Sequence, residues 1–558
     1  MLTVKIRTLL LCALMLVSAI ANAWIGGVTT QKFIGHGWDL LKATPEAAIA
    51  HADEFDRSGL DGITVCLYGK RPDGSKFGLT TIMLDAPWEY RLLEPRLGAL
   101  RKFKEHPGLK ESFLMFWLAP QKRLAWDDDA SWSRFAGNLR VLAKLGAAAG
   151  MKGYFVDGED YPKSRQFFYD MKNDGLDYDR TCKLARRRGA EVFGALFAEH
   201  PDATLLSFWF LSFNQSYASQ RNPSASVRRS GDLWPAFING ILDVMPDTAT
   251  FVDGDEHAYN YKSADKDFYV KSLNQRHSLG LLDPKNRPKY LARLSIGFGI
   301  YLDMCKKPED MAWLACNIAQ AAEVSTEYVW IYGERNNWVG WNKVGEKTWE
   351  QEIPGLADVL FSIKDPDGFM KRKLAEMRTA GKAVNEFKNM KDGFSTWKKD
   401  SQKTVFELDA GIWRVSKGEG SVLAGLSAKE GEFYATSVAF RGKDVKANVH
   451  WRRKGAFDWN KPEIPMFFGP PDENGWRHAA AAALVPTDVD ELVIQCDCKA
   501  DGDSMAELTA FSAIRLRPGK GMQMMGNIVS NRVHRVPNWG SKPTQPLGGI
   551  ANLAATML

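Results

Sequence analysis

GYFVDGEDY, Gly153 to Tyr161, is the stretch on which the reading of this chain turns. Three apolar or aromatic residues, Tyr154, Phe155 and Val156, run directly into the carboxylates Asp157, Glu159 and Asp160. About a hundred residues later nearly the same string returns as TFVDGDEH, Thr250 to His257. A third apolar run, EYVWIYGERNNW (Glu327 to Trp338), stops at Glu334. Apolar runs that end abruptly on acids are the expected signature of strand ends facing a site. Side chains alternate along a strand, so Asp157 and Glu159 are expected on one face, and Asp253 and Asp255 likewise. The Gly254 turn is the place where Glu256 would be re-aimed.

Outward from these runs, residues 30 to about 370 alternate strand-like and helix-like segments. Strand candidates are Lys32–Leu40, Gly62–Gly69, Phe113–Pro120, the GYFVD run, Ala203–Phe213, Thr250–His257, Arg293–Asp303 and the run ending at Glu334. Helical periods separate them, notably Ser131–Gly150, Asp179–His200 and Trp234–Val244, with Thr44-Pro45-Glu46 opening an early helix. Eight apolar strands alternating with helices predict an α/β fold, a (β/α)8 TIM barrel. The rival, an open doubly wound sheet, lacks the glycine-rich phosphate loop after an early strand. After about residue 394 short alternating runs with turn residues between them predict a β-sandwich. Gly475-Trp-Arg-His478 and a closing FSAIRLR resemble jelly-roll carbohydrate-binding modules in texture. The expected organisation is a signal peptide over 1–23, a catalytic barrel over 24–390, a carbohydrate-binding-like sandwich over 391–520 and a tail over 521–558.

Lys5 and Arg7, an apolar core from Leu9 to Ala21 and the Ala21-Asn22-Ala23 cleavage signal support that leader. Its core is too short to span a bilayer, and no later stretch is apolar enough, so an exported protein, periplasmic or extracellular, with no membrane span is expected. The formal net charge of +6 comes from scattered basic residues with no basic-aromatic repeat, which argues against nucleic acid. The 19 Trp, 30 Phe and 15 Tyr would serve sugar stacking, and equally the core of a large barrel. Six cysteines follow the leader without a paired CxxC, so no structural zinc is expected. Cys305 and Cys316 are either a bridge or two buried thiols.

Strand-end acids, alternating strands and a trailing sandwich resemble secreted bacterial TIM-barrel glycoside hydrolases over about residues 30–520. VDGEDYP, Val156 to Pro162, is similar to the strand-four motif of family 18 chitinases, which ends in acid-x-acid and Tyr-Pro. That resemblance implies Glu159 as proton donor with Asp157 beside it; the additional Asp160 and the missing upstream acids depart from it. A second comparison is the clan with a donor after strand four and a nucleophile after strand seven. There, strand seven offers only Asp303, so the partner of Glu159 would be Glu334 or Glu256.

The catalytic candidates are therefore Glu159, Glu334, Glu256 and Asp157, and the substrate-binding candidates Asp253, His36, Tyr332, Trp338, Trp209 and Tyr259. Their expected work is glycoside hydrolysis of a poly- or oligosaccharide, in which one protonated carboxyl donates to the leaving oxygen and a second acts as nucleophile or base. No cofactor and no metal ligand set is expected. A non-catalytic glycan-binding protein on the same scaffold is the alternative. A metal-dependent hydrolase or lyase using Asp157, Asp253 and Asp255 is weaker, because histidines do not cluster with those acids.

Overall fold

The computed structural model describes residues 31–516, apart from position 162, residues 261–264, parts of 306–323 and 365–383, and positions 430–431, 462, 469–470 and 487. The expected leader, the tail, Cys316 and most of the helix expected over Phe369–Lys388 lie outside the described residues. The chain divides into two compact units, one spanning Gln31–Leu360 and one comprising the residues from Phe361 onward.

In the first unit every apolar run carries a strand: β1 (Lys32–Gly37), β2 (Gly62–Val65), β5 (Phe113–Trp117), β6 (Gly153–Asp157), β7 (Thr204–Ser207), β8 (Thr250–Asp253), β9 (Leu294–Ile296), β10 (Phe298–Tyr301) and β11 (Tyr328–Gly333). A small hairpin, β3 (Tyr68–Lys70) and β4 (Lys76–Gly78), stands apart. All pairings in the main sheet are parallel, in the order β10-β11-β1-β2-β5-β6-β7-β8-β9. The two ends of that order, β9 and β10, are separated in the chain by Gly297 alone. Nine strands laid flat at roughly 4.8 Å would put those ends nearly 40 Å apart. One residue cannot bridge that gap, so the sheet curls into a nearly closed barrel. The expected seventh strand is one run interrupted at Gly297, which explains nine strands where eight runs were read.

The period of two organises the interior. Ile34, Phe113, Met115, Phe155, Leu206, Val252, Tyr328 and Trp330 form a packed cluster inside the sheet. At the next alternate positions toward the strands' C-terminal ends stand His36, Trp117, Asp157 and Tyr332. Neighbouring strands hold these at matching heights, His36 beside Tyr332 and Trp117 beside Asp157. Helices cover the outer face: Asp129–Ala149 is capped by the Asp128 carboxylate and closed by left-handed Gly150, and Tyr178–Glu199 is capped by Asp177. Gly153 is required at the start of β6, because a Cβ there would lie 1.9 Å from the Thr204 carbonyl oxygen.

The strands end sooner than the apolar runs suggest. β1 stops at Gly37, where Trp38–Leu41 turns helical, and β7 stops at Ser207 although apolar residues continue to Phe213. These apolar extensions fold over the barrel end as packed loops: Phe210 and Leu211 are fully buried outside any strand.

The second unit is antiparallel. Its strands are β12 (Phe394–Lys398), β13 (Val405–Asp409), β14 (Ile412–Ser427), β15 (Phe433–Arg441), β16 (Asp444–Arg453), β17 (Ala456–Phe457), β18 (Ile464–Pro465), β19 (Phe467–Phe468), β20 (Arg477–Leu484) and β21 (Glu491–Leu516). They form one curled ten-stranded network. The first half of β21 lies between β14 and β16, and its second half pairs with β15. Long β14 and β21 thus serve both halves of the unit, around a core that includes Val422, Val438, Trp451, Leu492, Ile494 and Phe511. Cys496 and Cys498 are both buried there as free thiols, on one face as their spacing requires.

Candidate active site

At the C-terminal end of β6 the chain turns immediately. Asp157 is the last strand residue, buried, and its Oδ1 accepts the Glu159 backbone N–H at 2.8 Å. This local turn holds Glu159 over the barrel end. After β8 a second turn does the equivalent for Glu256. Asp253 ends the strand, Gly254 passes against the Ser207 carbonyl where a Cβ would sit 2.3 Å away, and Asp255 adopts a left-handed φ of 36°. The turn is fixed on the barrel side by Trp330, whose indole N–H donates to the Gly254 carbonyl at 2.9 Å. Glu256 then begins a short 3-10 turn.

Asp157, Glu256 and Glu334 each lie within electrostatic reach of Glu159. Burial raises Asp157 well above the usual carboxylate range, and the charges of Glu159 and Glu256 add to it. Burial also raises Glu159, with Glu334 repelling it and the Tyr161 hydroxyl donating to it. Glu256 is pushed up to about 7, first by burial and then by the charge of Glu159. Glu159 is thus the one acid that interacts with the other three. Glu334, after β11, accepts from the Tyr332 hydroxyl at 3.0 Å and from the Tyr301 hydroxyl. Among the described residues none of the four carboxyls forms an ion pair with lysine or arginine. In contrast, Asp303 is paired with Arg335 and accepts the Glu334 N–H at 2.7 Å, so it braces the loop that presents Glu334.

Aromatic rings line this end of the barrel. Tyr332 stacks on Tyr301 at 5.4 Å and on Tyr259 at 6.1 Å, and His36 stacks on Tyr332 at 5.1 Å. The Tyr259 hydroxyl and the Trp117 indole N–H are buried without a hydrogen-bond partner among the described residues. Trp209 stacks on the exposed ring of Phe213 at 5.0 Å. Tyr161 is 68% exposed and Trp38 47% exposed. The Trp38 indole donates to the Tyr332 hydroxyl, which places it at the mouth of the site. Trp38 falls inside the strand expected over Lys32–Leu40, where nothing in the sequence separates it from core tryptophans; the strand stops at Gly37.

Other expected site residues are engaged elsewhere. Asp253 is fully buried, and its carboxylate accepts the backbone N–H groups of Leu211 and Ser212, both at 2.8 Å, together with the Ser212 hydroxyl. Trp338 is only 5% exposed; its N–H groups go to the His36 carbonyl and the Asp39 carboxylate. His36 is buried against Phe155 and bonded to the Thr64 hydroxyl at 2.7 Å. Burial pushes its imidazole down to about 3, so it is neutral. The alternation expected for Asp253 and Asp255 stops with the strand at Asp253, and Glu256 faces the other acids instead.

Asp53, Asp56 and His106 bring possible metal-ligand atoms within 4.8 Å of one another, on segments that precede β2 and β5 and so at the opposite end of the strands. There Asp56 already bonds the His106 ring at 3.0 Å and the Gly108 N–H.

No protein-family model matches this chain, and no curated protein does. Among solved structures, a chitinase from Bacillus thuringiensis is similar with 10% identity over 84% of this chain and 98% of its own, at a TM-score of 0.28. A sugar phosphate isomerase/epimerase from Anabaena variabilis shares 11% identity over 54% of this chain and 84% of its own, at a TM-score of 0.28. The enzymatically active domain of bacteriophage CBA120 tailspike protein 4 shares 10% identity, and this chain spans about a fifth of it: 23% of this chain and 20% of that one, at a TM-score of 0.19.

Proposed function

We propose that this chain is an exported glycoside hydrolase on a (β/α)8 barrel, with a jelly-roll-like second unit, acting on a poly- or oligosaccharide. The observation that carries the reading is that Asp157, Glu256 and Glu334 gather around Glu159 at the strands' C-terminal ends, without a lysine or arginine partner among the described residues and edged by Trp38, Tyr161, Tyr301 and Tyr332. Glycoside hydrolysis needs one carboxyl that keeps its proton near neutral pH and another that works as a carboxylate. Glu159 is the proton donor. Burial raises both Glu159 and Glu256, the charge of Glu334 adds to the first and that of Glu159 to the second, so one proton is retained between them toward neutral pH. The proton passes to the glycosidic oxygen as the bond to the anomeric carbon breaks. Glu334, held by two tyrosine hydroxyls, is the nucleophile or the base that activates water. Asp157 orients Glu159 through its backbone N–H, and the exposed rings of Trp38 and Tyr161 supply apolar faces for the sugar.

The test is hydrolysis of a broad panel of aryl glycosides and polysaccharides by the native chain and by Glu159→Gln, Glu256→Gln and Glu334→Gln. Loss of activity in Glu159→Gln and Glu334→Gln is expected; unchanged rates in both would sink the assignment. A native chain that cleaves nothing, yet binds a glycan in a manner abolished by Trp38→Ala, would support the glycan-binding reading instead. Undiminished turnover with chelator present is expected as well.

A further inference from the structure

The second unit carries an aromatic platform that the site above does not use. β16 and β17 form a hairpin whose tip, Lys454 and Gly455, has left-handed φ values of 50° and 78°. The Lys454 N–H is tied to the Asp490 carboxylate at 2.9 Å. Across the hairpin Arg452 pairs with Phe457 in register, and its guanidinium lies 4.4 Å from the centre of the Phe457 ring. Two residues on, Trp459 stacks on Phe457 at 5.1 Å and 24°. The edge of the His450 imidazole supports both rings, at 5.7 Å from Phe457 and 5.8 Å from Trp459. Arg452 is anchored in turn by Glu491 at 3.3 Å, and His450 lies 3.4 Å from Glu463.

This is a layered stack of guanidinium, phenyl and indole, and its last layer is open: Trp459 is 73% exposed, the most exposed large hydrophobic side chain among the described residues. An isolated surface indole normally folds down onto neighbouring chain. Here the inner face is already occupied by Phe457, so the indole is held out as a rigid plane. Its chain neighbours are polar: Asp458, whose carboxylate accepts the Asn460 N–H at 3.1 Å, and Asn460 itself, while Glu463 lies beside the supporting His450. A flat apolar plane bordered by short polar groups matches one ligand geometry well, the C–H face of a pyranose whose equatorial hydroxyls reach the rim.

We propose that Trp459, supported by Phe457 and Arg452, is a glycan-binding platform on the second unit that takes a pyranose face of a neutral polysaccharide. The proposal rests on the carbohydrate-active reading above for the class of ligand, and on the stack itself for the site. It adds a second point of attachment to the same polymer, independent of the acids in the barrel.

The test uses the full chain, with cellulose, xylan, chitin, mannan and starch as probes in pull-down and affinity electrophoresis. The native chain should be retained by at least one of them. Trp459→Ala should weaken that retention about tenfold, and Trp459→Tyr should recover most of it. Trp397→Ala, at another exposed tryptophan (56%) of the same unit, should leave it unchanged. Cleavage of a short soluble glycoside should not respond to Trp459→Ala, so failed hydrolysis with intact retention would overturn the enzyme reading and leave the platform standing. Equal retention of the native chain and Trp459→Ala would overturn the platform, as would a native chain retained by none of the five. A change in sedimentation on Trp459→Ala with no change in retention would identify the indole as a protein contact and also overturn it.

Discussion

At the residue scale, burial and like charge set the proton affinity of Glu159 and Glu256. Glu159 and Glu256 repel each other across a half-buried site, and Glu256 holds its proton up to about 7. Catalytic rate should therefore fall as pH rises through about 7, where the donor pair loses its proton. In Glu256→Gln the second acid that retains the proton toward about 7 is gone, so the alkaline limb of the kcat/KM profile should move down while activity at more acidic pH survives. A uniform loss at every pH would instead make Glu256 the donor. Glu334→Gln should lower kcat by about 10²–10⁴-fold with little change in Tm, as expected for a carboxylate whose role is chemical. That Asp157 and Glu159 lie close is readable from their spacing of two residues, but the turn after β6 joins them, not strand alternation, because the strand ends at Asp157. Where Glu256 points is not readable from the sequence, because the left-handed φ of Asp255 decides it and that depends on how the turn packs.

At the scale of elements, the loops after β7 and β8 are locked together by one buried group. Asp253 accepts two backbone N–H groups and a hydroxyl from Leu211 and Ser212. Asp253→Ala leaves those donors buried without an acceptor and should cost about 2–4 kcal/mol, with faster amide exchange at Leu211 and Ser212 as the local readout. Gly153→Ala places a methyl against the Thr204 carbonyl, and neither backbone can move without breaking the β6–β7 pairing. Denaturant unfolding should show a loss above about 3 kcal/mol or no folded protein at all. The strands themselves were legible because an apolar run between helical periods has few other homes. Their C-terminal ends were not, because Phe210 and Leu211 are as apolar as any strand residue and are buried as loop.

Across the whole molecule, buried titratable groups give stability a pH dependence with a worked sign. Asp157, Glu159 and Glu256 have raised proton affinity in the folded state. The folded chain binds those protons more tightly than the unfolded one, so stability falls as pH rises from about 4.5 toward 7 and beyond. His36 has the opposite sense: folded at about 3 and ordinarily near 6.5, it costs stability as pH falls through that window. Over the range the two windows share, three acids outweigh one imidazole, so Tm should decline from about pH 5 upward, and Glu256→Gln should flatten that decline by about 3 kcal/mol. The sequence by itself determined that parallel strands alternate with helices, that acids stand at the ends of four of them, and that an antiparallel unit follows. Those features are local, since periodicity and abrupt polarity changes depend on near neighbours. The tertiary structure alone decided that the sheet curls until β9 meets β10. It also set Glu159 among Glu256 and Glu334, turned Asp253 and Trp338 inward as braces, and left Trp38 and Trp459 facing out. Each of these depends on which distant backbone groups compete for the same hydrogen bonds and the same buried volume, and no stretch of sequence contains both partners.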